Sequence, residues 1–267
     1  MKRFFLRFLL ILFLIIVANV GFLYFLVPER YTLLLIGSDQ RGEERARSDV
    51  LLLVSLPRNP RDETILLTIP RDSRVPVEGE LDKITHAYAY GERPDDGKLL
   101  GNVDLTVKSV EDFLELDINA TAEFTFETFK EIVDSLGGAE TSAEGVINGE
   151  RALLLVRNRF RPGGDFARTA DQREIFLSLV RKMNWQEVQR LRTEFETNPE
   201  LRVHYPALET YTFGLWYILL HRGLTLGETR EEVIPGHGET LYSQQLGQNA
   251  YFWIPDEDAT RDLIASF

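Results

Sequence analysis

Residues 31–73 read YTLLLIGSDQRGEERARSDVLLLVSLPRNPRDETILLTIPRDS, and most of the expected fold follows from this stretch. It contains three short apolar runs, at residues 31–36, 50–56 and 64–69, and the segments between them are rich in arginine and aspartate. Apolar runs of this length between polar breakers are typical of buried strands. The stretch therefore predicts a largely buried sheet with charged residues at the ends of its strands.

Downstream, the apolar spacing predicts an alternation of helices and strands. The expected elements are a helix at 104–116, a strand at 121–126, a helix at 126–136, a helix or a strand at 149–156, and helices at 171–183 and 185–198. The apolar residues 211–220 cover about half a bilayer-spanning length, which favours a buried helix over a second membrane span. Short strands alternating with helices predict an α/β domain.

The N-terminus is predicted to anchor the chain in a membrane. Residues 8–27 form an apolar run of about the length that crosses a bilayer as a helix, and Pro28 follows. Three basic residues precede the run, and no positive charge follows it before Arg30. This asymmetry keeps the N-terminus in the cytoplasm and exports the rest. A cleaved signal peptide is the alternative, but its apolar core is usually shorter and ends in a small-residue cleavage site.

Composition excludes several kinds of site. The formal net charge is -12, which disfavours broad nucleic-acid binding because that needs a basic surface. Cysteine is absent, so disulfides, thiol nucleophiles and cysteine-ligated metals are excluded. Phosphate-binding glycine loops and the Gly-x-Ser-x-Gly elbow of serine hydrolases are also missing.

Four clusters join arginine or lysine to carboxylates beside the apolar runs. They are residues 37–41 (GSDQR), 47–49 (RSD), 69–73 (IPRDS) with 82–84 (DKI), and 157–159 (RNR) with Asp165, Arg168 and Gln172. An arginine side chain presents a fixed fork of donors that fits phosphate oxygens, and several at strand ends would hold a diphosphate. Asp39 and Asp49 could add Mg²⁺, which prefers carboxylate oxygens and substrate phosphates. Surface salt bridges are the structural alternative for any one cluster.

Taken together, these clusters resemble the LytR–CpsA–Psr family of bacterial cell-envelope proteins. The matching stretches are LLLIGSDQR (33–41), RSDVLLLVSL (47–56), ILLTIPRDSRV (65–75), DKITHAYAYG (82–91), FKEIVDSLGGAE (129–140), INGERALLLVRNR (147–159) and DFARTADQR (165–173). They follow the order of the family and span about half of the chain, and the IPRDS and NGERALLLVRNR segments are the most specific.

The resemblance implies an α/β fold with a mixed central sheet flanked by helices, preceded by the single transmembrane helix. It implies a pocket for a polyprenyl chain, with arginines at its mouth that hold a pyrophosphate. The implied reaction transfers a glycopolymer from a polyprenyl-pyrophosphate carrier to a sugar hydroxyl of peptidoglycan, with Mg²⁺ or Mn²⁺ as cofactor. The implied location is the cell membrane, and the oligomeric state is not predicted.

The resemblance also assigns roles to individual residues. The pyrophosphate-binding set is Arg41, Arg47, Arg71, Lys83, Arg157, Arg159, Arg168 and Gln172. Asp39 and Asp49 match the metal-associated aspartates, and Asp72 and Asp165 would orient arginines. The catalytic residues would be Asp39, Arg47 and Arg71. Asp39 is the first choice as general base, although metal-bound water or ionisation of the hydroxyl could replace it.

Two positions depart from the family pattern, and they keep other functions open. Ala167 stands where glycine is usual, and Asp171 stands where arginine is usual. A negative charge beside an anion site could weaken pyrophosphate binding, or Asp171 could point away. A non-catalytic binding protein of the envelope would explain Asp171. A hydrolase that cuts the lipid pyrophosphate with water in the same site is a second alternative, which the sequence does not separate from a transferase.

The sequence predicts three parts of the chain. Residues 1–7 would form a cytoplasmic tail, residues 8–27 the transmembrane helix, and residues 31–267 an extracytoplasmic domain. Within that domain, residues 33–173 would carry the motifs and residues 174–267 would complete the fold. The lipid carrier, the peptidoglycan acceptor and the bilayer are the expected partners, and nucleic acid is not.

Overall fold

The computed structural model describes residues 2–39, 46–90, 101–157, 164–221 and 226–267, apart from residues 244 and 246. The helices are α1 (Lys2–Leu26), α2 (Ile84–Ala89), α3 (Val103–Leu114), α4 (Phe126–Ser135), α5 (Gly149–Arg157), α6 (Gly164–Lys182), α7 (Trp185–Phe195), α8 (Ala207–His221) and α9 (Glu257–Ala265). The strands are β1 (Arg30–Ser38), β2 (Ser48–Pro57), β3 (Thr64–Thr68), β4 (Arg74–Val77), β5 (Glu80–Lys83), β6 (Ala120–Thr125), β7 (Ala139–Thr141), β8 (Gly145–Ile147), β9 (Leu201–His204), β10 (Thr229–Val233), β11 (Gly236–Ser243) and β12 (Gln248–Pro255). The segment 149–156, which the sequence left open, is helical.

Six strands form one mixed sheet in the order β10-β3-β2-β1-β6-β9. β2 is antiparallel to both β1 and β3, and β9 is antiparallel to β6, whereas β1 with β6 and β3 with β10 are parallel pairs. The mixed central sheet with flanking helices is thus confirmed. The two edge strands β9 and β10 come from the C-terminal third of the chain, so that segment completes the sheet.

The central strands are buried on both faces because their apolar residues alternate between two cores. Leu53 on β2 packs in the core that also contains Tyr88 of α2. Its neighbour Leu52 packs in the opposite core with Leu177 of α6. A strand covered by helices on both sides reads as a continuous apolar run, which is why β1 to β3 were recognisable from sequence.

The antiparallel order of β1, β2 and β3 brings three of their ends to one edge of the sheet. Gly37 near the end of β1 pairs with Val50 near the start of β2. Leu52 on β2 pairs with Thr68, the last residue of β3. The charged segments that follow β1, precede β2 and follow β3 therefore meet at this edge, which we call the charged edge.

The segment 211–220 is helical, but the prediction that it is buried was wrong. Within α8, Phe213 and Tyr217 are buried, whereas Leu215 and Leu219 are exposed. The buried pair packs against Tyr31 at the start of β1. Only one side of the helix meets the sheet, so the apolar character of the other side does not reflect burial inside the domain.

Helix α1 ends at Leu26, two residues before Pro28. Among the residues that the structure describes, no helix has the length and apolarity that crossing a membrane requires. The transmembrane segment at residues 8–27 stays a prediction.

Gly149 begins α5 where that helix meets α4, and its missing side chain is required there. A Cβ at this position would lie 2.3 Å from the carbonyl oxygen of Lys130. We expect Gly149→Ala to lower the free energy of unfolding by about 2 kcal/mol, because backbone must shift to relieve the overlap. Gly214 in α8 has open space around its Cβ position, so Gly214→Ala should instead raise stability by about 0.5–1 kcal/mol. Denaturant unfolding of both variants tests this pair, and equal effects would contradict it.

Candidate active site

Asp49 is placed at the charged edge by an irregularity in the β1–β2 pairing. Gly37 pairs with Val50 but Ser38 pairs with Ser48, so Asp49 is an additional residue on β2. Such a bulge redirects a side chain and is frequent beside active sites. Gly37 permits the close approach, because a Cβ there would lie 3.0 Å from the Cβ of Val50.

Asp49 begins a chain of alternating charges along this edge. Arg71 donates through Nη1 to Asp49 Oδ1, and its Nε lies 3.5 Å from Asp72 Oδ2. Lys83 Nζ donates to Asp72 Oδ1 at 2.5 Å. All four side chains are between 14% and 17% exposed, so they reach solvent but are shielded from most of it. Partial burial strengthens these ion pairs relative to exposed ones.

The C-terminal strand β12 supports the loop that carries Arg71. The backbone N–H of Trp253 donates to the carbonyl oxygen of Asp72 at 2.9 Å, and the Trp253 indole donates to Ile234 O at 3.1 Å. Ser73 also forms a β-bridge with Trp253. The position of Arg71 thus depends on a residue far along the chain, outside the motif-bearing segment.

Asp39 and Arg47 close the segment between β1 and β2. The Asp39 carboxylate accepts from the Arg47 backbone N–H at 2.7 Å, and the Asp39 N–H donates to Arg47 O at 3.1 Å. The Arg47 side chain itself is exposed. A fixed aspartate next to an exposed arginine is compatible with the predicted roles of both residues, and those roles stay predictions.

Helices α5 and α6 bring further predicted residues to this region. The Arg157 guanidinium lies over the ring of Phe126, 4.9 Å from its centroid, at the start of α4. Gln172 on α6 donates to Val156 O at 3.2 Å. Arg168 is buried, so it lies inside the fold and does not line open surface.

An apolar cavity of about 240 Å³ lies beneath this region, between the sheet and helices α4 to α7. Its wall is formed by strand residues such as Leu35 and Ala122 and helix residues such as Phe176. Phe126 and Gln172 also line it. Phe126 carries the Arg157 guanidinium on its ring, and Gln172 bonds to α5. Arg157 therefore lies at the boundary of the cavity.

Three predicted site residues cannot be placed. Arg41 and Arg159 lie outside the described residues, and Asp165 lies in α6 but its side chain lies outside them too. Asp171, one of the two departures from the family pattern, is partly buried on α6. It therefore does not simply point away into solvent.

Sequence reasoning missed Arg173, which fixes α6 to the sheet. Its Nε donates to Glu231 on β10 at 2.8 Å, and its Nη1 donates to Thr68 on β3 at 2.9 Å. Arg173 is buried and directly follows Gln172, so it sets the depth of Gln172 in the cavity wall. Arg173 is the last residue of the DFARTADQR stretch, and its place in that motif is the feature of the sequence that could have pointed to it.

A buried hydrogen-bonded group lies directly before Lys83. Asp82 accepts from His86 Nδ1 at 2.8 Å and from the Tyr90 hydroxyl at 2.9 Å, and both Asp82 and His86 are buried. Burial acts to raise the pKa of the Asp82 carboxyl, but hydrogen bonds from His86, the Lys83 N–H and Tyr90 hold that pKa below its usual value. The group fixes β5 to α2 and so fixes the base of Lys83.

We expect Asp82→Asn to lower the free energy of unfolding by about 2 kcal/mol at pH 7, since it weakens hydrogen bonds to a charged acceptor. A depressed pKa contributes stability above the unfolded value of about 4, and that contribution is lost as pH falls through the folded value. The difference from the parent protein should therefore shrink between pH 6 and pH 3. Asp112→Asn, which breaks the exposed pair with Lys108, should cost under about 0.5 kcal/mol at either pH. Urea unfolding across pH measures both, and a pH-independent Asp82 effect would contradict the assignment.

Comparison with known proteins relates these features to a family. Residues 25–147 match the model of the LytR_cpsA_psr family. The family recognised from the sequence motifs is thereby confirmed, and the matched region includes the bulge at Asp49, the Arg71 loop and Lys83.

The curated proteins that this chain resembles include proteins named as transferases. The polyisoprenyl-teichoic acid–peptidoglycan teichoic acid transferase TagU of Bacillus anthracis (strain CDC 684 / NRRL 3495) is 37% identical over 172 residues, which cover 58% of this chain and 53% of TagU. TagU of Bacillus licheniformis is 31% identical over 170 residues, which cover 57% of this chain and 52% of that protein. The chain thus spans about half the length of the curated relatives it matches.

Solved structures share the fold over most of the chain. The Lin1025 protein from Listeria innocua has a TM-score of 0.67 at 22% sequence identity, and the match covers 89% of this chain and 96% of that one. A structure described as TagT bound to LIIa-WTA has a TM-score of 0.64 at 23% identity and covers 89% of each chain. At these identities the likeness shows a common fold and no more.

Proposed function

We propose that this protein is a membrane-anchored transferase that moves a glycopolymer from a polyprenyl-pyrophosphate carrier to a sugar hydroxyl of peptidoglycan. One observation carries the proposal: the apolar cavity is lined by Val50, which directly follows Asp49 of the charged edge, and by Phe126, whose ring carries the Arg157 guanidinium. A carrier of this type has an apolar chain joined to a diphosphate. The two halves of the site match the two halves of that molecule, and the TagU relatives favour a teichoic acid as the polymer.

The charge distribution supports an anion at the mouth of the cavity. The chain is strongly acidic overall, yet Arg71 and Lys83 lie together at the charged edge and Arg157 lies over Phe126 in the cavity wall. Two of these cations are held by Asp49 and Asp72, so their geometry is set before a ligand arrives. Preorganised donors stabilise charge that develops during a reaction more effectively than mobile ones do.

A divalent cation is compatible with the residues at this edge. Within the described ranges, no cluster of three or more carboxylate, imidazole or thiolate ligands occurs. Two aspartates, Asp39 and Asp49, suit Mg²⁺, which commonly binds through one or two carboxylates and takes its remaining ligands from water and substrate phosphates. When bound, such an ion supplies positive charge to the phosphate oxygens. Asp49 would then share its carboxylate between the cation and Arg71.

The proposed reaction breaks the bridging P–O bond of the carrier. The acceptor hydroxyl oxygen forms a bond to the phosphorus that bears the glycopolymer, which makes a phosphodiester, and polyprenyl phosphate leaves. Asp39, held by the Arg47 N–H, is proposed to accept the hydroxyl proton. Arg71 and Lys83 are proposed to bind the pyrophosphate oxygens, and the cavity positions the chain so that the diphosphate lies at its mouth.

The proposed location is the cell membrane, with residues 1–7 in the cytoplasm and residues 31–267 outside it. The support is the apolar run 8–27 and the basic residues that precede it. Anchoring would keep the domain close to a carrier that is itself confined to the bilayer.

The test uses the full chain in phospholipid vesicles with a polyprenyl-pyrophosphate oligosaccharide, Mg²⁺ and a peptidoglycan oligomer. Mass spectrometry should detect a phosphodiester conjugate and polyprenyl phosphate in equal amounts, and chelation of Mg²⁺ should abolish both. Polyprenyl phosphate without conjugate would identify a hydrolase instead. Retention of the carrier with neither product would identify a binding protein.

A further inference from the structure

Helix α8 presents a largely apolar surface to the outside of the domain. The outward residues recur every three or four positions and are between 36% and 81% exposed. They are Leu208, Tyr211, Leu215, Ile218 and Leu219. An ordinary surface helix places polar residues on this face, and contiguous exposed apolar patches mark interaction surfaces.

The inward face of α8 is apolar as well, so the outward face is not explained by a reversed orientation. Phe213 stacks on Tyr31 with ring centroids 4.9 Å apart, and Tyr217 is buried beside it. The helix is therefore firmly docked on the sheet. Its outward residues add nothing to that docking, which leaves them available to a second apolar environment.

The neighbour of α8 indicates what that environment is. The ring of Trp216 lies 5.5 Å from the ring of Tyr24, near the end of α1. Arg58 lies over the Tyr24 ring at 3.9 Å and donates to the carbonyl oxygens of Tyr24 and Val27. The last turn of α1 is thus fastened to the domain beside α8. Most of the described large apolar side chains of α1 are exposed too, so the Tyr24–Trp216 contact joins two helices that each expose apolar side chains.

The geometry points to a bilayer surface as the partner of α8. Its outward leucines and isoleucine enter the lipid boundary, and Tyr24, Tyr211 and Trp216 lie at the headgroup level, where aromatic rings are enriched. This inference rests on the proposed anchoring of α1 and goes beyond it: the domain has a second, independent contact that fixes its orientation on the membrane. A helix bound along the interface and a helix that ends there together define a plane.

The sheet face beneath α8 leads towards the cavity. Leu33 and Leu56 pack with α8 and also with the core that contains Leu52. Leu52 and Leu35 in turn line the cavity. An apolar path of strand residues therefore runs from the side of the domain that faces the bilayer to the cavity that would hold a lipid chain.

The absence of cysteine in the chain allows a direct test. Single cysteines are placed at Leu215 on α8, at Phe13 on α1 and at the exposed Gln189 on α7, and each full chain carries a nitroxide label in phosphatidylcholine–phosphatidylglycerol vesicles. We expect the label at Leu215 to be at least about fivefold more accessible to oxygen than to a water-soluble nickel complex, because oxygen partitions into lipid. The label at Gln189 should show the opposite preference.

The Phe13 label separates the two proposals. Lipid exposure at Phe13 with an aqueous label at Leu215 would overturn the α8 contact and leave the anchor standing. Aqueous labels at both positions would overturn both. Shielding at Leu215 that appears without vesicles and grows with protein concentration would identify a second copy of the chain as the partner and overturn the lipid assignment.

A charge substitution adds a functional readout. Leu215→Glu combined with Leu219→Glu alters only exposed side chains, so the fold should tolerate it. Transfer from a long-chain carrier embedded in vesicles should fall by about tenfold, since α8 no longer binds lipid. Transfer from a short-chain, water-soluble carrier should stay within about twofold. An equal loss with both carriers would contradict the membrane role.

Discussion

Arg71→Ala should reduce glycopolymer transfer by about a hundredfold or more. Removal of one preorganised donor to developing negative charge commonly costs a factor of this size. Here the loss is compounded, because Arg71 lies between Asp49 and Asp72. Without the guanidinium, both carboxylates face the incoming pyrophosphate with less compensating charge. Initial rates of conjugate formation with the full chain in vesicles measure the effect.

Matched variants distinguish the loss of the Arg71 guanidinium from a loss of folding. Arg71→Lys keeps the charge but loses the two-pronged geometry, so its activity should lie between those of the parent and Arg71→Ala. Arg192→Ala removes an exposed arginine on α7 and should leave the rate within about twofold. Thermal unfolding should show a folded domain in every case. Activity of Arg71→Ala within threefold of the parent would place the reaction elsewhere.

Ala122→Trp should weaken binding of a long-chain carrier by about a hundredfold. Ala122 lies on β6 and lines the apolar cavity, so an indole there occupies space that the lipid needs. Exclusion of about four carbons of one isoprene unit forfeits about 3 kcal/mol at roughly 0.8 kcal/mol for each buried methylene-sized group. That energy corresponds to about two orders of magnitude in affinity. Binding of a fluorescent polyprenyl pyrophosphate in detergent gives the dissociation constant.

Two comparisons identify the cavity as the cause. Ala170→Trp adds the same ring to an exposed position of α6 and should leave affinity unchanged. A carrier with a short prenyl chain should bind the parent and Ala122→Trp within about threefold of each other, because its apolar part needs little of the cavity. A parallel loss for long and short chains would instead indicate a disturbed pyrophosphate site.

The strands and the charged edge could be predicted because they depend on local patterns. Apolar runs locate β1, β2 and β3, and the arginine-bearing segments flank them. The pairing of Arg71 with Asp49 was not predictable, since it follows from a one-residue shift in strand register near Gly37. A register shift depends on how two strands pair, and the composition of either strand alone does not encode it.

Long-range contacts and the burial of α8 could not be predicted from the sequence for related reasons. The support that Trp253 gives to Asp72 joins residues about 180 positions apart, and no local pattern reports such a contact. Arg173 has the same residue type as the predicted phosphate ligands but is bound to Glu231 and Thr68. For α8, the apolar composition predicted burial, but Leu215 and Leu219 are exposed. Composition does not distinguish the interior of a domain from an external apolar phase.

The length of β1 sets the distance between the proposed membrane side of the domain and the charged edge. The strand has nine residues, which correspond to about 30 Å of extended chain. It begins beside α1 and α8 and ends at the charged edge, so with the proposed membrane contact the diphosphate would react up to about 30 Å outside the plane of the lipid headgroups. The carrier would extend its chain over that distance to reach the site, and the spent polyprenyl phosphate would return to the bilayer. Conjugates would form in the wall layer at that height.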